Sequence, residues 1–453
     1  MVALLAATLV TFSPLQLQQS HYCTVDVMLL FFIMLTLLGC VMLVDARAPL
    51  CIALLIGIGY GLALAVKSSA APLAIPVLMA ALLRWWRERN RVALFALGVA
   101  AISTCVTFVL VMPYALLDWH NFFSQVAEQG NMSLGKFIMP YTLQFSYTTP
   151  YLYELQNIFL WGLGPLLTLS AGASLLWLGW RVGKRQAGPW LIVLSWLLIY
   201  GGITGSFYVK FVRYMLPLYP ALIVAAAAGL TAFAVSGKVR VFYVRTYPVR
   251  LTYVLSTLVL LATSFQGLAM VNIYSQPNTL IQASQWMFDH LKPGSTIAYE
   301  QQDAIIPVAV NGRDAGQVFH LAEPGLNMSD YDNPEKLQFL AEALASSDVI
   351  VLSSDRWDQP VFHLPQYYPI TGHYYHLLFQ GQLGFHLAAQ FEDYPHLLGI
   401  TLNDSASDPS FSIFDHPIVR IFVRDSSQRY SAARLLKKML VGAPPMPGLP
   451  RLP

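Results

Sequence analysis

The chain has 453 residues, 56% of them hydrophobic and only 11% charged, and a mean hydropathy of +0.53. That is too apolar for an ordinary soluble fold and long enough for more than one domain. The net charge of +3 hides a split, because residues 1–274 hold 6 of the 24 acidic but 16 of the 27 basic residues; nothing in that pattern favours nucleic acid.

A membrane-spanning helix needs roughly 20 apolar residues. By that measure residues 1–12, 24–44, 50–66, 68–83, 92–112, 156–180, 190–206, 214–235 and 251–271 are predicted spans. Residues 1–12 lack a basic n-region and a cleavage site, so they are no signal peptide; they read as the end of a span whose beginning is absent. The two spans flanking Lys67 are short and read as a tilted pair or a re-entrant hairpin. The turns 45–49, 84–91, 181–189 and 236–250 carry 12 basic residues, whereas the alternate turns carry four, Lys67, Lys136, Lys210 and Arg213. Cytoplasmic loops collect Lys and Arg, so the first set is expected inside and the second outside.

A soluble part is expected from residue 272. Residues 279–291 have apolar side chains at helical spacing and stop at Pro293-Gly294. Strands are expected at 296–299, 348–352, 385–391, 410–414 and 419–423, with a helix at 334–345. The predicted fold is therefore a polytopic α-helical membrane domain of about nine segments (1–271), an extracytoplasmic α/β domain (272–442) and a disordered proline-rich tail (443–453). All four cysteines lie in the apolar part, so no disulfide framework is implied for the soluble one.

The outer face holds the residues that could carry chemistry. Asp26 lies at the boundary of an apolar run, where an ionisable group is either functional or a favourable helix-terminal carboxylate; Thr24 as N-cap would favour the second. Lys67, Lys210 and Arg213 could hold a phosphate or anchor the chain at the interface. The loop 114–155 brings Tyr114, Asp118, Gln144 and Tyr147, suited to sugar stacking or to an interfacial helix. Glu300 and Asp303 follow a strand. His373 and His376 stand three apart, without a carboxylate to complete a metal site. Asn131, Asn327 and Asn403 open Asn-x-Ser triplets.

Several segments resemble protein O-mannosyltransferases, polytopic glycosyltransferases of the GT-C class that use lipid-phosphate sugars. The run Ser20-His21-Tyr22 … Asp26 … Leu29-Leu30-Phe31-Phe32 is similar to their Ser-Arg-aromatic…Asp…Leu-Leu-Phe-Phe segment. Gly61–Ser69, around Lys67, resembles their Thr-Lys-Tyr-Ser hairpin, and Arg213-Tyr214…Pro217 their Arg-Tyr-x-x-Pro segment. Bacterial family-39-like members share Pro113-Tyr114…Asp118, Glu300…Asp303…Pro307 and Asp415-His416-Pro417. The resemblance implies a GT-C-like bundle that transfers mannose or another sugar, with inversion, from a polyprenyl-phosphate donor to an acceptor hydroxyl on a protein or glycan at the outer face of the plasma or inner membrane. It makes Asp26 a supporting acid, His21, Lys67, Lys210 and Arg213 phosphate ligands, and Tyr114, Asp118, Gln144, Tyr147, Tyr214, Glu300 and Asp303 acceptor-side residues. It implies the lipid-linked sugar donor and no certain cofactor; a divalent metal stays open, though no residue here supports one.

Two departures stand out. The family's first outer loop, with its catalytic aspartate, has no counterpart before Asp26, so the chain is expected to be inactive as it stands unless that part precedes it. His21 replaces an arginine and can bind phosphate only when protonated, near or below about pH 6.5. Two readings of other classes stay open: a non-catalytic membrane-anchored protein that binds glycan or peptide, and a secondary transporter, which would show inverted repeats and mid-membrane charges.

Overall fold

The structure, a computed structural model, describes residues 1–235, 247–301 and 304–444. Most of the expected basic turn at 236–250, Asp303 and most of the proline-rich tail lie outside the described residues. The chain divides into two compact units, Met1–Phe137 with Thr149–Val271, and Ile138–Thr148 with Asn272–Pro453. Residues 138–148, expected with the helical part, thus belong to the second unit.

The first unit is helical: α1 (Val2–Thr11), α2 (Pro14–His21), α3 (Val25–Leu43), α4 (Pro49–Val66), α5 (Ala74–Glu88), α6 (Val92–Val111), α7 (Tyr114–Leu117), α8 (Trp119–Ser133), α9 (Leu152–Asn157), α10 (Pro165–Gly183), α11 (Trp190–Gly205), α12 (Tyr219–Val235) and α13 (Tyr247–Asn272). Among the described residues six helical stretches are long and apolar enough to cross a membrane: Val25–Leu43, Pro49–Val66, Ser68–Glu88, Val92–Val111, Val212–Ala232 and Thr252–His290, the apolar part of the last being α13. The protein is an integral, multi-pass membrane protein with a sheet-containing C-terminal region. The span after Lys67 is longer than expected, because a 3-10 turn at Ser68–Leu73 adds to α5; the one before it, Pro49–Val66, has 18 residues.

Glycines set the helix spacing. A Cβ on Gly57 of α4 would overlap the Ser103 side chain and the Ala100 carbonyl of α6, and one on Gly61 would meet the Thr104 carbonyl at 2.7 Å. This small-xxx-small spacing lets two backbones touch where no hydrophobic effect drives association. At the far end of α3 from Asp26, Arg84 is 4% exposed and its Nη1 donates to the Leu43 and Ala46 carbonyls at 2.7 and 3.0 Å. These are carbonyls at and just past the C-terminus of α3, and the guanidinium gives them a charged donor. With 19 residues, α3 separates its acidic and basic ends by about 28 Å, one hydrocarbon thickness.

The expected span 156–180 is interrupted. Ile158–Gly162 forms a π-turn, Gly164 adopts φ +84°, and α10 restarts at Pro165. A side chain at Gly164 would collide with Gln266, whose amide donates to the Leu160 carbonyl at 2.7 Å and satisfies one group freed by the break.

The second unit is built on a five-stranded sheet of order β2-β1-β3-β7-β4. Its strands are β1 (Thr296–Tyr299), β2 (His320–Leu321), β3 (Val349–Leu352), β4 (Phe385–Phe391) and β7 (Val419–Arg424), with β5 (His396–Leu397) and β6 (Ile400–Thr401) as a separate hairpin. β1 runs parallel to β2 and β3, while β7 is antiparallel to β3 and β4. Alternate residues face two layers. Ile297, Val349, Val351 and Ile421 pack on Ala283 and Met287 of α14 (Thr279–His290). Ala298, Ile350, Leu352 and Phe422 pack on α16 (Pro334–Ser346), α18 (Pro369–Phe379) and α20 (Ala432–Leu440). Short helices α15 (Ala315–Val318), α17 (Asp358–Phe362) and α19 (Pro409–Ser412) join these. The strand expected at 410–414 is instead α19 and the residues after it, because Asp408 accepts from the Ser410 N–H at 2.8 Å and Pro409 takes the first helical position.

Candidate active site

Asp26 is brought to Lys67 by two helix ends. Thr24 does not cap α3; its hydroxyl turns back to the Gln19 side chain at 3.2 Å. Asp26 therefore occupies the first turn, 3% exposed. α4 stops at Val66, where Lys67 leaves the helix with φ −160°. That extended residue carries its ammonium to Asp26, with Nζ 2.6 Å from Oδ1. Asp26 is thus a first-turn carboxylate of α3, as one of its two readings expected, and it is also one half of an ion pair. The Lys67 ammonium also stands 5.0 Å from the centroid of the Tyr214 ring.

Arg213 and Tyr214 open not a regular helix but a 3-10 turn, Val212–Leu218, that leads into α12. Tyr200 of α11 donates to the Tyr214 carbonyl at 3.0 Å and sits among Asp26, Ser69 and Tyr214. The guanidinium of Arg213 lies 5.4 Å from the Phe211 ring centroid, and its buried Nε has no hydrogen-bond partner. Lys210 is 3% exposed and its Nζ donates to the Tyr208 carbonyl at 2.9 Å. Burial lowers its pKa, with Glu154 of α9 opposing. Tyr200 and Glu154, itself 4% exposed, were not foreseen. Their signal was a lone tyrosine inside an apolar run and an acid just before one.

The other expected residues do not join this group. His21 ends α2, exposed, with its ring edge-on to Tyr22. Tyr114 is exposed on α7, and Asp118, also exposed, accepts from Asn121 at 2.8 Å. Gln144 and Tyr147 belong to the second unit, Gln144 buried with neither amide atom paired and Tyr147 stacked on His363 at 4.1 Å. Glu300 is sealed in that unit's core, where the Tyr375 hydroxyl donates to it. Asp303 lies outside the described residues. His373 bonds to the Val441 carbonyl and His376 to Gln380, and no three ligand-type side chains gather among the described residues. His416 is buried against Asp404 at 3.0 Å.

What the first group offers is an ammonium, Lys67, paired with an acid and beside Tyr214, the chain neighbour of Arg213, at one end of a helical unit. Such an arrangement suits an anionic headgroup. Residues 1–124 match the family described as dolichyl-phosphate-mannose-protein mannosyltransferase. The matched stretch contains Asp26 and Lys67 but ends before Arg213. The chain thus resembles the lipid-phosphate-dependent GT-C glycosyltransferases over that part. No curated protein matches the sequence significantly. Among solved structures, the chain is similar to the archaeal oligosaccharyltransferase AglB from Archaeoglobus fulgidus, in complex with an inhibitory peptide and a dolichol-phosphate. The identity is 13% and the TM-score 0.44, over 89% of this chain and 61% of that one.

Proposed function

We propose that the protein transfers a sugar from a polyprenyl-phosphate donor to an acceptor hydroxyl, at the end of the first unit where Asp26 meets Lys67. The observation that carries this reading is the 2.6 Å pair beside Tyr214, placed within the stretch that matches the mannosyltransferase family. In the transfer, the acceptor oxygen bonds to the anomeric carbon as the bond from that carbon to the phosphate oxygen breaks. The electron pair leaves with the phosphate, whose growing charge Lys67 and Arg213 offset. Asp26 holds the Lys67 ammonium in place. The proton of the acceptor hydroxyl goes to a carboxylate, and Glu154 is the second buried acid of this unit.

The test is transfer from a labelled dolichyl-phosphate mannose by the purified full chain. Lys67→Met should lower turnover by about a hundredfold, the usual loss when one oxyanion donor is removed. Asp26→Asn should lower it as well, and Glu154→Gln should spare donor binding while losing transfer. Full transfer by the Lys67→Met protein would sink the proposal.

A further inference from the structure

A cavity of about 400 Å³ opens in the second unit, lined by Tyr331, Tyr368, Asp330, Asn333, Ile138 and Leu143. Its size falls within the range of small-molecule sites, about 300–1,000 Å³. The rim is held by Asn327, one of the asparagines in an Asn-x-Ser triplet. Its Oδ1 accepts from the Ser329 amide and hydroxyl at 3.2 and 3.0 Å, and its Nδ2 donates to Asp330 Oδ2 at 2.7 Å. Asp330 is thereby fixed as an exposed carboxylate at the mouth. Asn333 is also exposed and caps α16 through its Oδ1, which accepts from the Lys336 N–H at 2.8 Å. The Tyr368 hydroxyl donates to the Ser329 carbonyl at 2.7 Å, which sets the orientation of its ring.

Tyr331 supplies the unusual part. It is 50% exposed, yet stacked on Tyr367 at 4.9 Å and 22°. A tyrosine pair held flat and left half in water is a ready-made platform for a ligand with an apolar face. The same cavity is lined by aliphatic Ile138 and Leu143 and by the carboxylate of Asp330 and the carboxamide of Asn333. Anionic ligands do not fit: Asp330 repels them, and the Lys336 ammonium, bonded to the Asp330 carbonyl, is also spent on Asp332 and Thr371. A neutral ring whose C–H face stacks and whose hydroxyls both donate and accept fits every group present.

We propose that this cavity binds a neutral saccharide by stacking a sugar ring on Tyr331 while Asp330 and Asn333 hold its hydroxyls. None of these residues belongs to the first unit, so the proposal stands whether or not Asp26 and Lys67 carry out transfer.

Saturation-transfer NMR on the full chain, in a detergent without a sugar headgroup, tests it with methyl α-mannoside, methyl α-glucoside and mannobiose as probes. At least one probe should receive saturation from the protein. Tyr331→Ala should weaken that binding by about tenfold, the loss of one ring face. Tyr331→Phe, which keeps the ring, and Asp26→Asn, which touches only the other site, should leave it unchanged. Thermal melting reports whether the Tyr331→Ala protein is folded. The proposal is overturned if no probe receives saturation, if folded Tyr331→Ala binds as the wild type does, or if Asp26→Asn abolishes the signal, which would place the sugar in the first unit. Saturation of a serine-rich peptide but of no glycoside would overturn it too.

Discussion

Asp26 and Lys67 are unequal partners, since the acid's side chain is 4% exposed and the amine's 29%. Removing the amine strands a buried carboxylate, whereas removing both charges strands nothing. Lys67→Met should therefore destabilise the protein by about 3 kcal/mol. The double variant Asp26→Asn, Lys67→Met should recover most of that loss while transfer stays lost; a thermal-melt cycle alongside the transfer assay checks this. If the double variant melts no higher than Lys67→Met, the pair does not carry the stability assigned to it. This pairing was half legible in the sequence. Asp26 and Lys67 each stood out as a rare charge at an apolar boundary, and burial cost explains why both mattered. Their contact was not legible, because it depends on Lys67 leaving α4 in an extended conformation. Gln144 and Tyr147 were expected with the helical part but lie in the second unit, because composition does not say which of two units a loop residue joins.

At the scale of elements, close backbone approach makes a sharp contrast between glycines. A side chain at Gly57 runs into α6, whereas a Cβ at Gly98 or Gly172 meets nothing within 4 Å. Gly57→Val should cost about 1–3 kcal/mol through forced separation of α4 and α6. Gly98→Ala should be neutral or stabilising by up to about 1 kcal/mol, since alanine is the better helix former. Melting of the two proteins in the same detergent decides the matter; equal losses would mean that α4 and α6 are not in contact through Gly57. Apolar runs made the helices legible, and short apolar or alternating runs bounded by turn residues made β1, β3, β4 and β7 so. α18 was missed for a physical reason. Its first turn is capped from outside, by Asp332, which accepts from the Ile370 and Thr371 amides at 2.7 and 2.8 Å. A cap supplied from 38 residues away leaves no local signature. The π-turn before α10 was missed likewise, because Gln266, which satisfies it, lies about a hundred residues further on.

For the whole molecule, charge and titration give two tests. The basic end of α3 is expected on the cytoplasmic side. A membrane-impermeant maleimide should then label the exposed Cys23 on intact cells, and label Asp45→Cys only after the membrane is opened; the reverse pattern would invert the topology. In the second unit, burial pushes the Asp358 carboxyl up to about 7, with Arg420 opposing and Asp355 adding. Its unfolded value is 3.8, so the unfolded chain releases this proton first and the stability contributed falls as pH climbs from about 4 to about 7. Burial lowers the His416 pKa, but hydrogen bonding to Asp404 and the charges of Asp404 and Asp415 reverse this and hold it above 6.5. Its contribution is complete below about 6.5 and fades as pH rises through that higher value. Both groups act in one direction, so the second unit should melt lower at pH 8 than at pH 5, and Asp358→Asn should flatten the slope. A melting point that rises toward pH 8 would contradict the assignment. Finally, Leu143 and Phe145, 4% and 1% exposed, are packed into the second unit although their stretch of chain is flanked on both sides by the first. A fragment starting at Asn272 would lack an internal wedge and arrive with an apolar slot open to water. Such a fragment should be aggregation-prone alone and rescued by a synthetic peptide spanning residues 138–148, much as a split protein regains its shape when its missing piece is supplied in trans.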